Sequence, residues 1–237
     1  TADANVTLYA KWTSSGSGIV AGPTVTDADG NVYTSIVIGT QTWTVENLRT
    51  TKYNDGTAIP HVTEVSAWSS LSTPGYCFYD NTTNTSDQTK YGALYNWYAV
   101  NTGKLAPAGW HVPTDAEWTT LENYLIANGY NWDGTMSGNK IGKSLASTTD
   151  WSFFYTPGAV GNGITSNNRT GFSALPGGFR SIDGNFSSQS YGGYWWSATE
   201  DDASDAYGRG LDYSDEGLGR INDTKKFGFS VRLVRDN

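Results

Sequence analysis

The chain has 237 residues, of which 37% are hydrophobic, and a formal net charge of −8. This length and composition allow one sizeable core and indicate a globular protein. The acidic balance, with Asp and Glu scattered along the chain, argues against a nucleic acid or an anionic lipid surface as partner. The 28 glycines and the single methionine indicate many turns and few long helices, which favours an all-β or α+β fold.

No apolar stretch reaches the roughly 18 residues that a membrane helix needs, so direct membrane insertion is not expected. The first residues also lack the pattern of a signal peptide. Because the sequence starts at Thr1, we expect an export signal or an anchor upstream, and an extracellular or cell-surface location. Cys77 is the single cysteine, which excludes an intrachain disulfide, and we expect it to be a small buried side chain.

Residues 1–13 predict the terminal strand of a truncated upstream β-repeat. Residues 6–12 (VTLYAKW) resemble the closing strand of short repeats in extracellular bacterial proteins of the Listeria and Bacteroides surface-repeat type. The Ser- and Gly-rich residues that follow have the composition of a flexible linker, which we place at 14–24. Residues 25–237 are expected to form the main domain.

The main domain is predicted to begin with a β-meander. A turn at residues 29–31 (DGN) separates two strands, the second of which covers residues 32–39, and a third strand follows at residues 41–45. Residues 76–79 predict a further apolar strand.

Three helical segments are expected in the middle of the chain. Residues 91–100 carry apolar side chains at helical spacing. The clearest helix begins with a capping box, in which the Thr114 hydroxyl and the Glu117 carboxylate satisfy free backbone N–H groups. A short helical segment follows within residues 141–147. The face of the capped helix that is expected to meet the core carries Trp118, Leu121 and Leu125.

The last quarter of the chain has a different pattern. Residues 193–200 and 228–235 have the apolar and aromatic content of buried strands, and we assign Trp195, Trp196 and Phe229 to the scaffold. Arg180 and Arg232 are expected to stabilise the core edge by pairing with carboxylates or carbonyls. Residues 201–226 mix charged and aromatic side chains with glycines, which is typical of a displayed surface.

Six blocks of the sequence together resemble the Fibrobacter succinogenes major paralogous domain, over about residues 29–236. In chain order they are VIGTQTWTVENLR at 37–49, YGALYNW at 91–97, PAGWHVP at 107–113 leading into DAEW at 115–118, LPGGFR at 175–180, YWWSAT at 194–199 and SVRLV at 230–234. Six blocks in order are far more specific than any one motif.

The resemblance implies an α+β domain with the C-type lectin-like fold, in the version shared with the formylglycine-generating enzyme. Two helices would pack on a small, twisted, mostly antiparallel sheet, with long loops on one side. Members of the family are bacterial, often lipoproteins or secreted, and usually lack a defined activity. The same fold serves as the variable ligand-binding protein of diversity-generating retroelements, in which the region between fixed strands is hypermutated. The composition of residues 181–226 fits such a region, as it would fit any loop-rich acidic surface.

The ligand-binding residues are expected in and just before the displayed run. They are Tyr191, Tyr194, Tyr207, Arg209, Asp212, Tyr213, Ser214, Glu216, Arg220 and Asn222. Tyr and Arg supply large contact areas and varied hydrogen bonds, so six of these side chains are predicted to form a solvent-facing patch: Tyr191, Tyr207, Arg209, Asp212, Tyr213 and Arg220. Alternatively, the tyrosines pack as cross-strand pairs and the charges solvate the rim.

No catalytic residue, metal ligand or cofactor is assigned, and the protein is not expected to be an enzyme. The formylglycine-generating relatives depend on a cysteine pair, whereas only Cys77 is present. His111, in the 107–113 block, is expected to form a hydrogen bond within a turn. Oxygen ligands for a structural calcium ion could come from Glu200, Asp201, Asp202 and Asp205, or from Asp80, Asn81 and Asp87, although acidic loop residues are more often simply solvated. An exposed Trp68 or Trp132 could stack on a sugar ring.

The sequence therefore predicts a non-enzymatic, surface-displayed module of the receptor or adhesin type. Its C-terminal face would bind a protein or another cell-surface macromolecule, and a glycan is less expected. The alternatives are a structural or fibre module, whose aromatic surface packs against neighbouring domains, and a calcium-assisted carbohydrate-binding module.

Overall fold

The computed structural model describes residues 19–236, which form a mixed α+β fold dominated by strands. The strands are β1 Ile19–Ala21, β2 Val25–Thr26, β3 Val32–Tyr33, β4 Ser35–Ile38, β5 Gln41–Thr44, β6 Tyr76–Cys77, β7 Leu94–Tyr95, β8 Gly177–Arg180, β9 Phe186–Gln189, β10 Gly192–Glu200, β11 Asp205–Asp212, β12 Gly219–Thr224 and β13 Val234–Asp236. The helices are α1 Val65–Ser69, α2 Thr85–Tyr91, α3 Trp97–Val100, α4 Asp115–Ala127 and α5 Gly142–Leu145, with 3₁₀ turns at Tyr79–Asn81 and Ile164–Ser166. None of the helices between residues 19 and 236 is both long and apolar enough to cross a membrane.

The first sheet has the strand order β1-β4-β5-β13, and all of its pairs are antiparallel. Strand β1 lies at the edge, with Val20 opposite Val37 of β4. Residues 19–21, which fall inside the predicted linker at 14–24, therefore form part of the sheet. The predicted upstream strand at 1–13 lies outside the described residues.

The second sheet has the order β12-β11-β10-β8-β9 and carries the C-terminal region. Strand β8 runs parallel to β10, and the other pairs are antiparallel. Strand β10 is the longest, and its neighbouring tryptophans point to opposite faces because side chains alternate along a strand. Trp195 enters one core and Trp196 enters another, so both faces of β10 are buried.

Helix α4 begins as the sequence predicts. The backbone N–H of Glu117 donates to Thr114 Oγ1 at 3.2 Å, and the N–H of Thr114 donates to Glu117 Oε2 at 2.7 Å, which completes the capping box. Trp118, Leu121 and Leu125 are buried in one core with Trp195, which confirms the predicted apolar face. Trp43 of the first sheet joins them, and its ring lies 4.7 Å from that of Trp118.

Residues 91–100 do not form the single helix that their spacing predicts. Tyr91 ends α2, and Gly92 has a φ of +75°, which helical geometry excludes. Leu94–Tyr95 then forms β7, which pairs with β6, and the N–H of Tyr95 donates to the carbonyl of Phe229 at 2.8 Å. The apolar side chains of this segment belong partly to strand β7 and partly to the short helix α3. Pairing with distant residues outweighs the helical spacing of the local sequence.

Three other strands are shorter than predicted. Of residues 228–235 only the last two belong to a strand, β13, because residues 228–230 make single bridges to three different strands. The strand expected over residues 32–39 is divided, because Val32–Tyr33 pairs with β2 whereas Ser35–Ile38 joins the first sheet. The strand expected over residues 76–79 ends at Cys77, and a 3₁₀ turn follows.

Two buried arginines hold loops together, as expected. Arg180 donates to the carbonyl oxygens of Val62 and Thr63 at 2.6 and 2.7 Å. Arg232 donates to Asn47 Oδ1 at 2.6 Å and to the carbonyl oxygens of Thr44, Phe172 and Ser173 at 2.8, 3.0 and 3.2 Å. Both side chains are fully buried, so these contacts replace water as the partner of each guanidinium.

We expect Arg232→Met to lower the free energy of unfolding by about 2–4 kcal/mol, because it leaves several buried oxygen acceptors without a donor. Urea unfolding would measure the change. The matched control is Arg235→Met, which removes a partly exposed side chain 5.6 Å from the Trp110 ring. Its effect should stay within about 1 kcal/mol. An equal loss in both variants would contradict the assigned role of Arg232.

Candidate functional site

Strands β11 and β12 place four of the predicted residues on one face of the second sheet. Tyr207 lies opposite Asn222, and Arg209 lies opposite Arg220. Because alternate residues of a strand share a face, all four side chains point toward the side of the sheet that packs on α4.

Asp115, the first residue of α4, connects two of these side chains. Arg209 Nη1 lies 2.6 Å from Asp115 Oδ1, and Arg220 donates to both carboxylate oxygens, with Nη2 at 3.0 Å from Oδ2. The guanidinium carbon of Arg220 lies 3.7 Å from the centre of the Tyr207 ring, in a cation–π contact. We call Asp115, Tyr207, Arg209 and Arg220 the arginine cluster.

The arginine cluster stabilises the ionised form of its carboxylate. Burial alone would raise the pKa of Asp115, but hydrogen bonds from Arg220 and Arg209 outweigh it and hold the pKa below its ordinary value. The cluster also joins the N-terminus of α4 to the two C-terminal strands.

Arg209 is not part of a solvent-facing patch, contrary to the prediction. Its side chain is 1% exposed, and it also contacts the Thr119 hydroxyl at 3.1 Å on the next turn of α4. The sequence shows Arg209 among glycines, as a surface residue would be, but its strand packs directly under the helix. Arg220, by contrast, is 49% exposed.

Tyr194 is likewise a scaffold residue. It is half-buried on the opposite face of the sheet, where its ring stacks on Phe229 at 5.5 Å and meets the edge of Phe179 at 5.2 Å. Gly208 and Gly210 provide space for packing on this face. The alternative in which tyrosines pack within the sheet therefore applies to Tyr194.

A second group of predicted residues belongs to a row of four aromatic rings. Tyr191 contacts Tyr213 at 5.1 Å, Tyr213 contacts Phe154 at 5.3 Å, and Phe154 stacks on Tyr155 at 4.8 Å between ring centroids. The two ends of this aromatic row are exposed, Tyr191 to 50% and Tyr155 to 76%. Phe153, next to the row in sequence, is also 76% exposed.

The backbone beneath the aromatic row is tied by hydrogen bonds between three loops. The N–H of Tyr213 donates to the carbonyl of Tyr191 at 2.8 Å, and that of Gly161 donates to the carbonyl of Tyr213 at 2.7 Å. Phe154 in turn donates to the carbonyl of Gly161 at 3.1 Å. A Cβ atom at residue 161 would collide with the carbonyl oxygen of Ser152, so this close approach requires glycine.

The remaining predicted residues shape the loops around these two groups. Asp212 Oδ1 accepts hydrogen bonds from the backbone and hydroxyl of Ser214 at 2.9 and 2.5 Å, which closes the turn after β11. Glu216 accepts a hydrogen bond from the Trp132 indole at 2.6 Å. The exposed Asn222 donates to Asp201 at 3.0 Å. The ten predicted residues therefore do not form one patch.

Sequence reasoning missed two parts of the site. Asp115 was recognised only within the first turn of a helix, and no local signal shows that two distant arginines meet its carboxylate. The run of three aromatics at residues 153–155 was a usable signal, because it stands in a loop rich in Gly, Asn and Thr.

Residues considered for chemistry or sugar contact have structural partners. Cys77 is buried, as expected, and burial raises the pKa of its thiol to about 12. His111 Nε2 lies 2.5 Å from Glu117 Oε1 of the capping box. Trp68 is completely buried and cannot stack on a sugar, whereas Trp132 is 40% exposed.

Three of the acidic residues considered for calcium, Glu200, Asp201 and Asp202, are engaged in local contacts. Asp202 Oδ1 accepts the backbone N–H groups of Ser204 and Asp205 at 2.7 and 2.8 Å, and Glu200 pairs with Lys225 at 2.5 Å. Between residues 19 and 236 no group of three or more His, Cys, Asp or Glu side chains is arranged to hold a metal ion.

The fold and the site define residues 19–236 as a mixed α+β domain with two larger sheets and two two-stranded ones, an arginine cluster at the start of its longest helix and an exposed aromatic row. Residues 36–235 match the family of the Fibrobacter succinogenes major domain, and the chain belongs to this family. The match confirms the family inferred from the six sequence blocks. Comparisons with curated proteins and with solved structures gave no match.

We expect Asp115→Asn to lower the free energy of unfolding at pH 7 by about 2–4 kcal/mol, since it leaves the buried Arg209 without its counter-ion. The folded pKa of Asp115 is depressed, so its stabilisation is fully present above the unfolded pKa of about 4 and is lost as the pH falls through the folded pKa. Chemical unfolding from pH 7 down to pH 2 should show the gap between wild type and variant narrowing below about pH 4.

The control for this experiment is Asp133→Asn, which removes the carboxylate of an exposed pair with Lys140. It should produce a much smaller gap at every pH. A gap for Asp115→Asn that stays constant throughout the acid range would show that the charge of Asp115 is not what stabilises the fold.

Proposed function

We propose that this chain is a non-enzymatic recognition module, displayed outside the cell, whose aromatic row binds a protein or another cell-surface macromolecule. The observation that carries the proposal is the exposure of Tyr155 and Tyr191 at the two ends of a continuous row of rings. Large exposed aromatic side chains that are held in place are typical of interaction surfaces.

The hydrogen-bonded loops support this proposal because they reduce the conformational entropy that is lost on binding. Ordering flexible side chains and loops on binding costs about 0.5–1.5 kcal/mol for each rotamer-rich side chain. The ring contacts and the backbone bonds around Gly161 and Tyr213 already order the aromatic row in the free protein. A partner therefore meets a surface that needs little rearrangement.

The magnitudes indicate a partner that covers more than the rings. Burial of the exposed parts of Phe153, Tyr155 and Tyr191 would remove roughly 300–500 Å² from water. At about 25 cal/mol per Å² this contributes about 10 kcal/mol, while association costs about 4–15 kcal/mol. Further contacts are needed for tight binding, which favours a macromolecule over a small ligand.

We further propose that the domain has the C-type lectin-like fold and that its C-terminal surface is diversified, as in retroelement variable proteins. The family membership and the α+β architecture are compatible with that fold. Exposed residues of the C-terminal strands and turns, such as Tyr191, Ser214 and Asn222, are surface positions, where substitutions usually change stability by less than about 0.5 kcal/mol. Arg209 is a poor candidate for diversification because it is buried against Asp115.

The same aromatic row is the observation that favours a second candidate, a structural or fibre module. Exposed rings that pack against a neighbouring domain would bury the same apolar area. The two functions differ in the occupant of the row, which is another copy or domain of the same assembly in one case and a foreign macromolecule in the other.

The double variant Tyr155→Ser, Tyr191→Ser tests the proposed binding role. Binding would be measured by bio-layer interferometry against a panel of purified cell-surface proteins. A glycan array would be a separate arm of the experiment. We expect at least tenfold weaker binding to any protein that wild type captures, because the apolar ends of the row are removed. The melting temperature should change little.

The control is Val65→Ser with Ile182→Ser, which removes two exposed apolar side chains outside the aromatic row. It should bind like wild type. Unchanged binding by the tyrosine variant would reject the aromatic row as the binding surface. Self-association of wild type that the tyrosine variant abolishes in sedimentation would favour the structural module.

Diversification predicts a specific pattern in closely related sequences. Substitutions should concentrate at exposed positions of the C-terminal strands and turns, namely Tyr191, Ser214 and Asn222. Arg209, Trp195 and Trp196 should remain fixed, since each is fully buried. Sequencing of the gene from many isolates would check this, and substitutions spread evenly over the chain would contradict it.

A further inference from the structure

A pocket of about 380 Å³, with two cationic side chains in its lining, lies beside the loop that carries the aromatic row. It is formed by α5, by the chain from residue 157 to residue 169 and by the Trp132 side chain. The lining residues that matter chemically are Trp132, Lys143, Asn162 and Arg169. Of these four residues, the sequence indicated a binding role only for Trp132, as a ring that could stack on a sugar.

Lys143 is the unusual feature of this pocket. It lies on α5 and is only 9% exposed, yet no Asp or Glu between residues 19 and 236 forms an ion pair with it. Its ammonium donates to the backbone carbonyl of Asn162. An ammonium has three donors, so two remain for another partner.

The surroundings of Lys143 differ from those of the other deeply buried lysine. Lys225 has Glu200 and two backbone carbonyls as partners. Lys143 has one carbonyl, and burial lowers its pKa because the charged form is desolvated without an opposite charge nearby. An anion in the pocket would compensate this desolvation.

Arg169 supplies a second positive charge on the lining of the pocket. Its guanidinium carbon lies 5.2 Å from the Tyr130 ring, and its hydrogen bond to the Gly129 carbonyl is a long one, at 3.3 Å. It forms no ion pair with a carboxylate of the described chain, and its side chain is exposed. Several of its donors are therefore available to a planar oxyanion.

Asn162 joins this pocket to the aromatic row. Its backbone carbonyl accepts from Lys143, while its side-chain amide donates to the carbonyls of Phe154 and Tyr155 at 3.1 and 3.2 Å. The backbone of Tyr155 is thus hydrogen-bonded directly to a residue that lines the pocket.

We infer that this pocket binds a carboxylate, supplied by an acidic side chain or by the C-terminus of the protein that covers the aromatic row. Lys143 and Arg169 provide the two positive charges, and the Trp132 indole provides an aromatic wall. The identity of the occupant rests on the proposed function, whereas the capacity of the pocket for a carboxylate does not. A protein fits better than a neutral glycan, because an anionic group is needed to compensate the charges of Lys143 and Arg169, and because Phe153 and Tyr155, each 76% exposed, offer apolar area beside it.

N-acetylglycine tests the inference, because it carries one carboxylate next to a peptide group and no aromatic ring. Nuclear magnetic resonance titration would follow the Trp132 indole N–H and the Asn162 side-chain amide. We expect saturable shifts of both signals with N-acetylglycine and none with the neutral N-acetylglycinamide. Equal shifts with both compounds, or none with either, would overturn the inference, as would binding of inorganic phosphate alone.

Variants locate the response. Lys143→Met and Arg169→Gln should each weaken N-acetylglycine binding about tenfold or more, since each removes a charge-assisted hydrogen bond. The matched control Lys140→Met removes a nearby surface charge that pairs with Asp133, and it should bind like wild type. Equal affinity in all three variants would overturn the inference. If Lys143→Met fails to fold, Arg169→Gln and the neutral amide still decide.

The same titration separates this inference from the proposed function. The variant Tyr155→Ser, Tyr191→Ser should keep full affinity for N-acetylglycine, because neither ring lines the pocket. Loss of macromolecular binding with retained carboxylate binding would support both assignments. Absence of carboxylate binding in wild type would reject the pocket as a carboxylate site, but it would not affect the proposed role of the aromatic row.

Discussion

Strand β10 is packed on both faces, and the geometry of the site depends on this constraint. Trp195 fills the core under α4, while Trp196 packs 4.5 Å from the Phe229 ring in the other core. Strand β11 pairs along β10 and β12 pairs along β11, so the register that sets Arg209 opposite Arg220 follows from β10. A slip of one residue would exchange the two tryptophans between cores that are shaped differently, which makes the register strongly specified.

The C-terminal hairpins use this fixed register for two different purposes. Toward α4 they present Arg209 and Arg220, which share the Asp115 carboxylate and lock the helix onto the sheet. Just after the C-terminal end of β11, Tyr213 leaves the sheet and joins the exposed aromatic row. The ion pair of Arg209 lies within β11 and the aromatic row begins one residue after its end, so the rigidity of the strand supports the presentation of the rings.

The sequence was informative wherever the signal was local. The capping box at Thr114 and Glu117 needs only residues of one helical turn, and it fixed the start of α4 correctly. The helix predicted over residues 91–100 was wrong because Gly92 ends one helix and because the backbone of Tyr95 bonds to that of Phe229, more than a hundred residues later. The predicted exposure of Arg209 was wrong for a similar reason, since its burial is decided by a helix that lies far away in sequence. Phe153, Phe154 and Tyr155 could have been found from their unusual aromatic run.

By itself, the sequence determined the family, the α+β class, the capped helix and the burial of Trp195, Trp196 and Phe229, because motif order, capping and apolar pattern are encoded within short stretches. Only the tertiary structure decided which polar side chains face solvent and which meet one another. It divided the predicted surface into an arginine cluster and an aromatic row, and it brought Lys143 and Arg169 to one pocket. The physical reason is that hydrogen bonding and desolvation of a charged group depend on neighbours supplied by distant segments, which no local pattern records.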